Sequence, residues 1–195
     1  EMREGLKGNR YDLRPPPPEP LVPRELRFGV RERLKAGGEV AIPLDAASLG
    51  AAIAAIRQSG ATSVAICFLH AYRNPVHEIA AAERVARELP GISISRSSDV
   101  LPQIKEYERV STTVVNAYVQ PSVRHYLERL EKRLVEAGLR GSLFIILSHG
   151  GMAPVAEAAR LAAATVLSGP AGGLFGCRRC ADMLGMPDLV AFDMG

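Results

Sequence analysis

The sequence has no tryptophan, and only 5% of its 195 residues are aromatic. Its three cysteines are an odd number and too few for a disulfide framework, so reduced thiols are expected. No apolar run approaches the roughly 20 residues that cross a bilayer. Neither charge sign dominates, since 24 Lys and Arg accompany 21 Asp and Glu. These absences argue against nucleic-acid and membrane partners and favour a cytoplasmic globular protein.

Proline, in contrast, is abundant near the start. Residues 15–18 are four consecutive prolines, which fix φ and remove backbone donors. Residues 1–24 are therefore predicted to form a stiff, extended connector. A ligand for a proline-binding module has the same composition, and that alternative stays open.

Residues 25–150 show alternating strand and helix patterns. Strands are predicted at residues 26–31, 40–42, 63–68, 92–94 and 143–147, and helices at 45–56, 74–89, 106–118 and from Pro121 onward. Asp45 and Asn74 are the predicted N-caps. Because several strands are uniformly apolar, we expect an α/β fold with a mixed, mostly parallel sheet and flanking helices.

The last segment, residues 151–195, carries the most informative glycines. A Gly-Pro-Ala-Gly-Gly run at 169–173 precedes a helix predicted over 174–184 and an apolar strand predicted over 189–192, which ends in Asp193-Met194-Gly195. Glycines let backbone N–H groups approach phosphate, and an acid at a strand end can hold Mg²⁺ or its water shell. The segment resembles the hinge helix and first strand of the second nucleotide-binding lobe in the actin-like ATPase (ribonuclease H-like) superfamily.

Longer strings extend this resemblance to nearly the whole chain. They include Ser-Thr-Thr-Val-Val-Asn-Ala-Tyr at residues 111–118, and the others lie at residues 11–13, 21–24, 31–33, 67–78, 106–109, 167–173 and 192–195. In order and spacing they are similar to the A-type subunit of the hydantoinase/5-oxoprolinase family. One departure is His149, because the family usually has Ser-Asn-Gly-Gly where this sequence has Ser-His-Gly-Gly.

The resemblance implies a subunit that uses ATP and Mg²⁺ to open a cyclic amide such as a hydantoin or 5-oxoproline, through phosphorylation of the ring carbonyl. It also implies a B-type hydantoinase subunit or fused region as partner. The chain is expected to be an internal fragment that is inactive alone, because the family's first phosphate loop and the rest of the second are not in it. A ketone carboxylase subunit and an actin-like regulatory module without catalysis remain alternatives.

The candidate site residues follow from these motifs and from the resemblance. Asp193 is the predicted catalytic acid and Mg²⁺ residue, acting through metal-bound water, and His149 is a second catalytic candidate. Nucleotide binding is assigned to Gly169, Gly172, Gly173, Asp193 and Gly195, and substrate binding to His149, Gly150, Gly151, Glu106 and Arg109. His70 is a candidate metal ligand because it follows a predicted strand. The Cys177 and Cys180 pair is interpreted as packing residues, with redox or metal chemistry as the alternative.

Overall fold

The computed structural model describes residues 20–186 and 188–194. The chain divides into two compact units, Glu1–Ala117 and Tyr118–Gly195. Most of the predicted proline-rich connector, residues 1–19, lies outside the described residues. A short 3₁₀ helix at Arg24–Leu26 begins at the last residue of the predicted connector. None of the helices in the described ranges is long and apolar enough to cross a membrane.

The described part of the first unit contains a small antiparallel hairpin. Strand β1 (Arg33–Leu34) pairs with β2 (Val40–Ile42), and a turn at residues 36–38 joins them. The predicted first strand at 26–31 was placed too early along the chain. Alternation of apolar and polar residues in a short segment does not show which residues pair with another strand. Here the turn and the register with β2 determine which residues form β1.

Helix α1 (Ala46–Ser59) follows the hairpin and begins where the sequence predicts. The Asp45 side chain accepts a hydrogen bond from the Ser48 N–H at 2.7 Å, which satisfies one free donor of the first turn. The helix ends at Gly60, whose φ of 69° is readily adopted without a Cβ.

A parallel strand pair forms the centre of the first unit. Strand β3 (Ser63–Ile66) and strand β4 (Ser93–Arg96) are paired in parallel, and helix α2 (Val76–Glu88) makes the crossover between them. Helices α1 and α2 bury their apolar faces on this pair, and the core consists of Leu49, Ile53, Ile66, Ala81 and Val85. The short helix α3 (Ser97–Val100) follows β4 directly.

Helix α4 (Glu106–Glu136) is one continuous helix, although two were predicted. Pro121 lies inside it, where the missing N–H and the ring disfavour helix by roughly 3 kcal/mol. Burial of the flanking turns compensates, since Ala117 and Gln120 are both buried. Tertiary packing therefore overrides the local preference for a new helix start. The division between the two units falls within this helix.

Besides the end of α4, the described part of the second unit contains a hairpin, two α-helices and a 3₁₀ helix. Strands β5 (Phe144–Ile146) and β6 (Met152–Pro154) pair antiparallel, and α5 (Val155–Arg160), a 3₁₀ helix at Ala162–Thr165 and α6 (Ser168–Leu184) follow. Its buried core consists of Leu127, Leu147, Ala153, Val155, Ala158 and Ala159. Leu127 comes from α4, and Val123, one turn earlier in the same helix, packs against this core.

The predicted mostly parallel sheet is wrong for the described residues. Their strands form three two-stranded sheets, of which only β3–β4 is parallel. A parallel pair needs a long crossover, whereas the short turn between β5 and β6 forces an antiparallel hairpin. The predicted strand at 189–192 is also absent from residues 188–194, where Val190 is 92% exposed. An apolar run becomes a strand only where a second strand pairs with it.

Candidate functional site

The tight turn between β5 and β6 contains three predicted site residues, His149, Gly150 and Gly151. The Gly151 N–H donates to Nδ1 of His149 at 3.2 Å, so the imidazole stabilises the turn through a hydrogen bond within it. The Leu147 N–H donates to the Gly151 carbonyl at 2.8 Å, and the Gly150 N–H donates to the Leu147 carbonyl at the same distance. Gly150 has a φ of 85°, a conformation that favours glycine.

Helix α6 packs closely against this turn. The Phe175 ring lies on Gly150, where an added Cβ would overlap the ring, and a Cβ on Gly172 would lie 3.0 Å from Cδ1 of Ile146 in β5. Gly172 is thus closely packed. Gly173, in contrast, has no other heavy atom within 4 Å of an added Cβ among the described residues. Gly169 is equally open.

The amino end of α6 is also the start of the glycine run. Leu167, just before it, has a φ of 60°, and no side chain caps the first turn. The first N–H groups of a helix have no partners within it, and they form a positive end that suits an anion. Gly169 leaves the space beside these groups open, so the described residues of this end are compatible with phosphate.

A second group of predicted site residues lies in the first unit around Tyr72. Arg109 is 1% exposed, and its guanidinium donates to the Phe68 carbonyl at 2.9 Å and to the Gln103 carbonyl at 3.3 Å. It also lies 5.4 Å from the Tyr72 ring centroid, within cation–π range. Arg109 therefore joins the loop after β3 to the segment before α4 through its two terminal nitrogens, while its Nε is buried without a hydrogen-bond partner.

His70 and Glu106 were predicted to bind metal and substrate, respectively. His70 has a φ of 60°, and its ring meets Tyr72 edge-on at a centroid distance of 6.2 Å. Its Nδ1 is buried without a hydrogen-bond partner. Among residues 20–186 and 188–194, no group of three or more His, Cys, Asp or Glu side chains could hold a metal ion. Glu106 is exposed at the first turn of α4.

The described part of the last predicted motif is exposed. Asp193 lies in the exposed stretch 188–194, and Gly195 lies outside the described residues. Within the second unit, the structure brings the turn of His149, Gly150 and Gly151 against α6, through Phe175, and places Gly172 of the same helix against β5. In the first unit, the side chains of His70 and Arg109 both lie against the Tyr72 ring.

Sequence reasoning missed the role of Glu78, which lies in the first turn of α2. Its side chain is fully buried and accepts hydrogen bonds from the Phe68 N–H at 2.8 Å, the Ser97 hydroxyl at 2.6 Å and the Ser98 N–H at 2.8 Å. One carboxylate thus holds the segments after β3 and β4 together. Burial, and secondarily the charge of Glu78, raises the pKa of the nearby Cys67 thiol to about 12.

This geometry defines an α/β protein with a glycine turn beneath a glycine-rich helix, and comparisons with known proteins agree with it. The hydantoinase/oxoprolinase N-terminal region matches residues 1–89, and the hydantoinase/oxoprolinase family matches residues 109–195. The caprolactamase subunit alpha of Pseudomonas jessenii is 38% identical over 197 aligned positions, which cover 100% of this chain and 28% of that protein.

Two solved structures show the same arrangement. The ATP-dependent caprolactamase from Pseudomonas jessenii superposes with a TM-score of 0.80 at 35% identity, covering 100% of this chain and 28% of that one. Nucleotide-free acetone carboxylase gives a TM-score of 0.77 at 32% identity, covering 86% of this chain and 24% of that one. The chain belongs to the hydantoinase/oxoprolinase family. It spans less than a third of the length of these relatives.

Proposed function

We propose that this chain is part of an A-type subunit that opens a cyclic amide, such as a hydantoin or 5-oxoproline, at the expense of ATP. The observation that carries the proposal is the similarity to ATP-dependent caprolactamase along the entire chain, at 35% identity and a TM-score of 0.80. A caprolactam is itself a cyclic amide. The proposal includes an actin-like ATPase fold for the whole subunit and a B-type subunit or fused region as its partner.

The second unit supplies the residues proposed to contact nucleotide and substrate. The open amino end of α6, with Gly169 beside it, would hold phosphate oxygens through backbone N–H groups. The exposed carboxylate of Asp193 would bind Mg²⁺ through a metal-bound water. When bound, Mg-ATP would supply the phosphoryl group that activates the amide carbonyl. Gly172 and Gly173 would provide the flexible part of the hinge helix.

His149 is proposed to shape the substrate-facing turn. Its Nδ1 accepts the Gly151 N–H, and an asparagine side-chain oxygen, which is usual in the family, can accept the same bond. A His149→Asn substitution should therefore retain activity. His149→Ala should lower kcat/KM by about tenfold, the equivalent of one lost hydrogen bond of roughly 1.4 kcal/mol. Equal losses in both variants would contradict a role based on this bond.

The decisive experiment uses the complete gene product together with its B-type partner. ADP release is measured with Mg-ATP and each of 5-oxoproline, a hydantoin and caprolactam, and the opened ring is identified by mass spectrometry. Amide-dependent ADP release with ring opening is expected. Absence of both for every cyclic amide would refute the proposal.

A second candidate function is favoured by the similarity to acetone carboxylase at 32% identity and a TM-score of 0.77. The same assay with a ketone and bicarbonate tests it. Ketone-dependent ADP release without amide turnover would assign the chain to an ATP-dependent carboxylase. No stimulation by either substrate class would favour the regulatory module.

A further inference from the structure

Helix α6 carries a cysteine pair that the proposed function does not use. Cys177 and Cys180 are three residues apart, and residues at i and i+3 lie on the same side of a helix. The geometry of an α-helix separates their Cα atoms by about 5 Å, inside the range of about 4.4–6.8 Å found for disulfides. The Cα separation of the two cysteines therefore already lies in the range of a disulfide.

The environment of the pair differs sharply from that of the third cysteine. Cys180 is exposed and Cys177 is half-buried, with the exposed residues Arg178 and Arg179 between them. These two positive charges attract an anionic small-molecule disulfide such as oxidised glutathione. Cys67, in contrast, lies in the first unit beside Glu78, and its raised pKa leaves it protonated. The chain thus contains its own unreactive control thiol.

Closing a disulfide here requires a local change in the helix. Side chains at i and i+3 have Cβ atoms about 5–6 Å apart, whereas a disulfide needs about 3.5–4.5 Å. Helix α6 is suited to such a change because four glycines precede the pair, at 169, 172, 173 and 176. Each interior glycine weakens a helix by about 1 kcal/mol relative to alanine. A strained, exposed disulfide is also readily reduced again, as expected of a reversible switch.

We infer that Cys177 and Cys180 form a reversible redox site that couples thiol oxidation to the geometry of α6. One thiolate attacks a sulfur of a small-molecule disulfide, forms a mixed disulfide and releases the first thiol. The second cysteine then attacks the protein sulfur, closes the Cys177–Cys180 bond and releases the second thiol. Two cysteine thiols are oxidised and one external disulfide is reduced, with the two protons passing to the released thiols. Because Gly172 contacts Ile146, distortion of α6 would change its packing on β5.

The test exposes the reduced 195-residue chain to a mixture of oxidised and reduced glutathione, followed by acid quenching, alkylation and mass spectrometry. The chain should lose two of its three thiols and two hydrogens, without retaining glutathione. Cys177→Ser and Cys180→Ser should each retain one glutathione, and Cys67→Ser should still form the internal bond. Two retained glutathiones on the unsubstituted chain, or two free thiols under conditions that modify the serine variants, would overturn the inference.

Hydrogen exchange tests the coupling to the helix. After oxidation, amides of α6 should exchange faster, while those of α1 should not change. Dithiothreitol should restore the original rates in α6. Unchanged exchange in α6 despite complete oxidation would refute the coupling.

Discussion

The two compact units hold their elements together by different means. In the first, buried polar side chains such as Glu78, Arg109 and Asn116 bridge segments far apart in sequence. In the second, the described core cluster consists of Leu, Val and Ala, and glycines allow α6 to approach the β5–β6 hairpin. Both units also have an apolar core. Side-chain hydrogen bonds fix the loops after β3 and β4 in the first unit, whereas small residues set how closely α6 packs in the second. Removing an acceptor should therefore damage the first unit, and adding a methyl group should damage the second.

The largest effect is expected from Glu78→Ala. The substitution removes a fully buried carboxylate, so the Phe68 N–H, the Ser97 hydroxyl and the Ser98 N–H lose their acceptor. Unsatisfied buried donors cost about 1–3 kcal/mol each, so the free energy of unfolding should fall by about 3–5 kcal/mol in urea denaturation. Glu83→Ala on the exposed face of the same helix is the matched control. Equal losses in the two variants would show that the buried carboxylate is not the link between these segments.

An intermediate effect is expected from Gly150→Ala in the second unit. The substitution combines an unfavourable φ of 85° with overlap of the Phe175 ring. Gly138→Ala is the control, because Gly138 has a φ of 98° but no heavy atom within 4 Å of an added Cβ. The control should lose about 1–2 kcal/mol from backbone strain, and Gly150→Ala about 1–3 kcal/mol more from overpacking.

A double-mutant cycle with Phe175→Ala separates the two contributions of Gly150→Ala. Removing the ring should recover the overpacking part and leave the backbone part. Additive losses, with no recovery, would show that close approach of α6 does not determine packing in this unit.

The smallest effect is expected at Asp45, because its hydrogen bond caps a helix locally and does not connect distant segments of either unit. Its hydrogen bonds with Ser48, the backbone N–H first, hold the pKa of the Asp45 carboxyl below its ordinary value. A lowered folded-state pKa means that the stabilisation is present above the unfolded-state pKa and is lost as pH falls through the folded-state value. Asp45→Ala should slightly lower Tm at pH 7, and the difference should shrink in strong acid. Asp45→Asn, also a good N-cap, should keep the cap and lose this pH dependence. If the Tm difference between the unsubstituted chain and the Asp45→Ala variant did not change with pH, the assignment would be contradicted.

Local signals predicted much of the element order correctly. Asp45 begins α1 as expected, and helices and strands in the first unit alternate in the predicted order, with end points shifted by a few residues. The errors concern pairing and continuity. The antiparallel β5–β6 hairpin and the unbroken helix through Pro121 both depend on tertiary contacts with other segments. A local sequence pattern does not show those contacts.

The candidate site shows the same division. The glycine turn and the glycine run at 169–173 were found from their composition, but α6 begins at Ser168 and includes the run that was predicted to precede the helix. Family resemblance supplied the proposed roles of the turn and the helix. Their contact through Phe175 and Gly150 was not foreseen, because residue spacing along the chain does not show which side of a helix meets a distant turn. Arg109 was predicted for substrate, yet the structure places it against the carbonyls of Phe68 and Gln103.

By itself, the sequence determined the capped start of α1 at Asp45, the glycine turn, the cysteine spacing and the family resemblance, because caps, turns and periodicity act within a few residues. The predicted cap of α2 at Asn74 was one residue too early, since Pro75 precedes that helix. Only the tertiary structure decided which strands pair, that Glu78 is a buried acceptor, and that Gly172 is packed while Gly173 is open. The Glu78 donors lie 10 to 20 residues away along the chain. Such contacts are selected by burial and by the three-dimensional path of the backbone, so no local rule can specify them.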